Sequence, residues 1–206
     1  MIVNERKKMS TPDYIKDIRE GRYSKSGAVA KILKECGIQS FPINVWEIAR
    51  MLNFQVLEAN FKNENTSGMM IDSLVVPEVL RKFNCKRAII LNRNERKSVQ
   101  SFTIAHELGH FVYDCNEYTN CFDAYHVCRE KSQAALSEVE QKNKAKEDEI
   151  DEFAAMLLMP EIMFREYVSA SVNRNDRKKL IEEMAKVCMV EEVAVEKRFR
   201  ELGIES

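Results

Sequence analysis

An excess of charge of one sign is missing from this chain: 32 basic and 33 acidic residues leave a formal net charge of −1 across 206 positions. Proteins that wrap a nucleic acid carry a basic surplus, so direct nucleic-acid binding is not expected, although net charge is blind to a local basic face. The start, Met1 to Lys8, lacks the apolar stretch of a secretory leader. The longest apolar run, Phe153 to Met159, is far too short to span a bilayer, so no membrane partner is expected. A cytoplasmic protein with reduced thiols follows from that reading. The six cysteines (Cys36, Cys85, Cys115, Cys121, Cys128 and Cys188) include no Cys-x-x-Cys pair, which leaves them as free thiols. Cys121, His126 and Cys128 form only a loose rival cluster for a second metal. Glycine and proline are scarce, at 6 and 4, and no internal repeat is present. What remains is an ordinary globular composition, 45% hydrophobic and 32% charged, long enough to bury a core without disulfides.

Periodicity divides the chain. Residues 1–25 are polar and read as a flexible arm, with one turn of helix around Tyr14, Ile15 and Ile18. Ala28, Val29, Ile32, Leu33 and Cys36 share a helical face that Gly37 is placed to end. A second helix follows Pro42, with Asn44 as its cap and Val45, Ile48, Ala49 and Leu52 inward. Short apolar runs at Phe54–Leu57, Gly68–Ile71, Leu74–Val76 and Ala88–Leu91 predict a small sheet of three or four strands. From Ser98 onwards the helical period returns and holds, apart from a polar stretch near 114–130. Helices before and after a block of strands define an α+β chain.

The chemistry concentrates in Ser98-Val-Gln-Ser-Phe-Thr-Ile-Ala-His-Glu-Leu-Gly-His-Phe-Val-Tyr113. Ala105, Leu108 and Val112 set an apolar helical stripe, and Ser98 is a candidate cap. On such a helix His106 and His110 leave one face about 6 Å apart along the axis, a spacing that lets two imidazoles meet one tetrahedral ion. Glu107, beside the first ligand, is placed to reach a water instead of the metal, as in the His-Glu-x-x-His zinc peptidases. With three histidines in the chain, chance gives this pentapeptide in on the order of one sequence in a few hundred, so the motif needs support.

Support comes from Glu147-Asp-Glu-Ile-Asp151, which leads into Phe153-Ala-Ala-Met-Leu-Leu-Met-Pro160. A site with two histidines needs a third protein ligand and an open fourth position for water. Glu147 and Asp151 share a helix face, so Glu147 completes the site and Asp151 accepts a hydrogen bond from a ligand histidine. Glu149, on another face, is the competing carboxylate. The bland alternative is a solvated, charge-patterned helix, but Ile150, Phe153, Ala154, Leu157 and Leu158 give this one a buried side. One zinc ion per chain, with water as its fourth ligand, would acidify that water and polarise a peptide carbonyl. Glu107 would take the water proton. His126, Tyr113 and Tyr125 are candidate donors to the oxyanion.

Taken together, Phe102-Thr-Ile-Ala-His-Glu-Leu-Gly-His-Phe111 and Glu147 through Pro160 resemble the paired signatures of the ImmA/IrrE family of metallo-endopeptidases. The resemblance runs from about Ala28 to Gly203, taking in Pro42–Ala49, Ala88–Asn92 and the closing segment Val190–Gly203. Its register favours Glu147 over Glu149. Ile150 and Asp151 stand where Ala-Asn is commoner, and the segment between the two signatures is long and polar. The resemblance implies a zincin-like (gluzincin) catalytic fold, set here at residues 26–160, with a helical C-terminal part at 161–206. It also implies a protein substrate, a helix-turn-helix repressor cleaved to release transcription. Two rival functions remain: a binding module that captures a partner without cutting, and a DNA-binding regulator. The latter would use Arg174, Arg177, Lys178, Lys179, Lys197, Arg198 and Arg200, which are interleaved with glutamates as on a solvated helix.

Overall fold

A computed structural model describes residues 11–63, 66–73, 75–113, 121–126 and 138–204, with the backbone alone for 121–126 and 138–143. Three helices come first: α1 (Asp13–Arg19), α2 (Lys25–Glu35) and α3 (Val45–Met51). Strands β1 (Gln55–Ala59), β2 (Thr66–Asp72) and β3 (Arg87–Asn92) follow, then α4 (Lys97–Tyr113) and β4 (Cys121–His126). Four helices close the chain: α5 (Glu138–Leu158), α6 (Glu161–Ala170), α7 (Arg177–Cys188) and α8 (Glu192–Glu201). The α+β expectation therefore holds at the level of a small mixed sheet among many helices.

Local chemistry explains most boundaries. Ser24 caps α2 by accepting the Gly27 N–H at 3.1 Å, and Gly37 ends it with φ +66°, a conformation that costs glycine no steric strain. Asn44 caps α3 through the Glu47 N–H, also at 3.1 Å. In contrast to the expectation for Ser98, α4 begins one residue earlier, and the Ser98 hydroxyl donates to Glu191 instead. The one turn of helix expected around Tyr14 is the seven-residue α1. Ile15 and Ile18 lie in the main core, so this part of the expected arm belongs to the body. Residues 1–10 lie outside the described residues.

The sheet order is β1-β3-β2-β4, with β1 parallel to β3 and the other pairs antiparallel. The expected strand at Leu74–Val76 is not formed at residues 75–76, where the chain bends towards a 3-10 helix at Glu78–Phe83. The fourth strand is instead β4, in the stretch read as a polar loop. Its register partners on β2 supply the order that its own sequence does not advertise. Strand β3 is buried along its whole length, as expected of a strand covered on both faces. Ile89 and Leu91 face the main core, whereas Ala88 and Ile90 join Ile71 and Leu80 in a smaller cluster on the opposite face.

Helix α4 is the centre of the molecule. It packs on β2, β3, α1, α3 and α5, and apart from Phe102 every residue from Gln100 to Val112 is buried. Arg19 of α1 donates to the Phe111 carbonyl at 2.5 Å and stacks on the Phe111 ring. A cation on a carbonyl of the last turn satisfies a helix end and opposes its dipole. The C-terminal helices share the same core through Phe164, Leu180, Met184, Val195 and Phe199. Glu183 of α7 fastens them by accepting from Tyr167, Ser171 and Asn173 at 2.9, 2.8 and 2.8 Å.

One glycine decides how closely α4 meets α5. A Cβ on Gly109 would lie 2.9 Å from Ile150 Cγ2 and 3.0 Å from Phe153 Cδ1. Ile150 is branched and both side chains are buried, so neither yields easily. Gly109→Ala should therefore push the two helices apart and lower unfolding stability by about 1–3 kcal/mol, measured by denaturant titration. A variant as stable as the wild type would show that the contact is not tight.

Candidate metal centre

The approach at Gly109 brings together side chains that the chain separates by some forty residues. His106 and His110 project from α4 and are almost completely enclosed, at 0% and 2% exposure. Glu147 and Asp151 project from α5 and are partly open. The His106 and His110 Nε2 atoms stand 2.9 Å apart. Glu147 Oε2 lies 3.3 Å from the first and 3.5 Å from the second. Asp151 Oδ1 lies 2.8 Å from His106 Nδ1. Glu149, the competing carboxylate, is exposed.

The donor set fits a divalent ion. A carboxylate only accepts, so His106 Nδ1 carries the proton given to Asp151, and its Nε2 presents a lone pair. That lone pair converges with a Glu147 carboxylate oxygen and the second imidazole nitrogen on one small space, as three ligands of one cation would. Ligand bonds of zinc length at a tetrahedral angle would set the donors about 3.3 Å apart. The observed 2.9, 3.3 and 3.5 Å bracket that value. Among the described residues, this trio is the group of three or more ligating side chains that could hold a metal ion.

The electrostatics agree. Burial disfavours a charged imidazole at His106, but the hydrogen bonds it donates to Asp151 and Glu147 outweigh this and raise its pKa above the ordinary value. Burial likewise pushes the Glu147 carboxyl up, and the two histidines overcome this to bring it down to about 2. A proton and a metal ion would therefore compete for the His106 ring. Glu107, also at 0% exposure, is buried one residue along from His106, and its charge helps raise the His106 pKa.

The other sequence candidates are less central. Tyr113 packs edge-on against Phe153 with ring centroids 5.3 Å apart. Burial, with Glu152 nearby, pushes its phenol up to about 12, so it keeps its proton at neutral pH. The backbone of Tyr125 and His126 lies in β4 opposite Gly68 and Thr66; their side chains lie outside the described residues. So does the rival cluster of Cys121, His126 and Cys128. Reading the sequence missed Gly109 itself. A glycine inside a helix costs about 1 kcal/mol against alanine, a signal that close approach is required there.

Two histidines from a buried central helix and a carboxylate from its neighbour define a metallopeptidase-like domain. The chain belongs to the peptidase M78 family, described as the IrrE N-terminal-like domain, whose model matches residues 49–200. No curated protein matches the chain. Solved structures do, among them a Mycobacterium tuberculosis transcriptional regulator, 13% identical with a TM-score of 0.49. That match covers 89% of this chain and 49% of the other, so this chain spans about half the length of that protein.

Asp151→Ala should weaken metal binding about 10–100-fold by freeing the His106 ring and its tautomer, read by competitive titration against a chelating dye. Unchanged affinity would remove Asp151 from the site. The pH dependence has a definite sign. A raised His106 pKa stabilises the metal-free fold fully below about pH 6.5, and this contribution is lost as pH rises through the raised value. Metal needs the unprotonated ring, so its affinity should climb over that same interval with release of protons. Calorimetric titration at about pH 5.5 and about pH 8 checks both points.

Proposed function

We propose that this protein is a zinc-dependent endopeptidase of the zincin-like, gluzincin type, acting on a specific regulatory protein. The observation that carries the proposal is the convergence of His106, His110 and Glu147 beside the buried carboxylate of Glu107, with Asp151 fixing the His106 ring. Two imidazoles and one carboxylate suit zinc and leave a fourth position open. An ion held there supplies Lewis acidity, making a water more acidic and polarising the peptide carbonyl. The Glu107 carboxylate accepts the water proton and delivers it to the leaving amine nitrogen. Tyr113, protonated at neutral pH, is retained as a candidate oxyanion donor beside Tyr125 and His126. We assign the catalytic unit to residues 26–160, with 161–206 as a helical part docked on it. A helix-turn-helix repressor is the substrate class that the family resemblance favours.

Of the seven basic residues of the DNA-binding reading, Arg174, Lys178 and Arg200 are exposed and four others are engaged within the fold. Arg198 is buried, Arg177 lies over the Phe199 ring, and Lys179 and Lys197 pair with Asp176 and Glu201. No helix among the described residues is long and apolar enough to cross a membrane.

The test is cleavage of a candidate repressor by metal-loaded protein, with Glu107→Gln alongside. A discrete cut by the wild type, reduced at least about 100-fold in the variant while metal binding persists, is the expected result. Equal cutting by both would dismiss Glu107 as the base. Capture of the repressor by metal-loaded wild type without any cut would point to a binding module instead.

A further inference from the structure

The ends of the two ligand-bearing helices are held by a single short helix. Glu191, the residue immediately before α8, accepts a hydrogen bond from Ser98 in the first turn of α4, and its other oxygen lies 2.8 Å from Arg96 Nη2. Seven residues on, Arg198 Nε donates to the Met159 carbonyl at 3.1 Å, immediately past the end of α5. Arg198 is only 4% exposed. Both charges have the sign that the helix ends call for, a carboxylate at the start of α4 and a guanidinium at the end of α5. Helix α8 is itself seated firmly: the Phe199 ring meets Phe164 of α6 edge-on at 5.2 Å, and Arg177 of α7 lies 5.0 Å over it.

We propose that α8 braces the metal centre, with Glu191 and Arg198 as positioning residues that fix the pose of α4 against α5 and thereby set metal affinity. The proposal rests on the metal-centre reading above. His106 and His110 ride on α4 and Glu147 on α5, so any rotation of one helix against the other moves the third donor relative to the first two. Metal bonds tolerate only about 0.2 Å of misplacement, whereas a helix pair loosened at its ends can shift by more. Gly109 sets how closely the two helices approach at their crossing, and the contacts of Glu147, Asp151 and Phe153 with α4 lie near that crossing instead of at the far ends of the helices. The two grips from α8 lie at the ends of the helices, where resistance to that rotation is greatest. Neither residue touches the donors, so their effect passes wholly through helix placement. Truncating Arg198 also leaves the Met159 carbonyl without its donor at a buried helix end.

The test uses the full chain as wild type, Glu191→Ala, Arg198→Met, Arg198→Lys and Glu183→Ala. Glu183→Ala removes three hydrogen bonds from the same C-terminal helices without touching α4 or α5. Zinc affinity is measured by competition, and the cobalt-substituted proteins are compared by visible absorption, with circular dichroism confirming that each is folded. Glu191→Ala and Arg198→Met should each bind zinc about tenfold more weakly and show altered cobalt bands. Arg198→Lys should recover part of the loss, and Glu183→Ala should match the wild type. Wild-type affinity and spectrum in the folded Glu191→Ala and Arg198→Met proteins would overturn the brace. So would an equal loss in Glu183→Ala, because the effect would then be one of general stability. Failure of the wild type to take up zinc or cobalt would sink the metal-centre reading, and the brace with it.

Discussion

Everything at the metal centre depends on how closely α4 approaches α5. Two helices with ordinary side chains between them sit about 8–10 Å apart, and the distance is set by whatever stands at the crossing point. Here Gly109 contributes no side chain, and Ile150 and Phe153 fill the space directly above it. The crossing is tight because of one absent methyl group. It places carboxylates from α5 within hydrogen-bonding range of an imidazole on α4, and those contacts define the site.

That proximity creates an electrostatic problem. His106, Glu107 and His110 are buried, and Glu147 and Asp151 are half-buried beside them. A buried ionisable cluster is costly unless its charges balance and its hydrogen bonds are made. Asp151 accepts the hydrogen bond of His106 Nδ1–H, which turns the other ring nitrogen towards His110 and Glu147. Protons balance the group in the absence of metal, which is why the His106 pKa is raised while Glu147 is lowered. A divalent cation could satisfy three donors of the group at once.

The helices outside the site hold its two supports in place. Arg19 of α1 grips the last turn of α4, Glu191 its first turn, and Arg198 the end of α5. In each case a charged side chain meets a helix end where unsatisfied backbone groups concentrate. Helices from α1 to α8 thus support the helices that carry the candidate ligands, and the main core is continuous across them.

Much of this could be read from the chain itself. The caps at Asn44 and the break at Gly37 are written in residue type, because capping and left-handed turns are local chemistry. The helical spacing of His106 and His110, and of Glu147 and Asp151, is fixed by the period of a helix alone. Local pattern was less able to place Ser98, whose hydroxyl was drawn away from the helix end by Glu191, 93 residues on. It also missed β4, since an alternation as weak as Cys121–His126 becomes a strand only when β2 offers its edge. For the same reason Ile15 and Ile18 read as part of an arm, although α4 supplies the surface that buries them. Residue type and helical period are enough to name the side chains that could bind a metal and the helix faces that carry them. That the two faces meet is a property of the packed fold, because it depends on the gap at Gly109 and on charges arriving from distant helices at the helix ends.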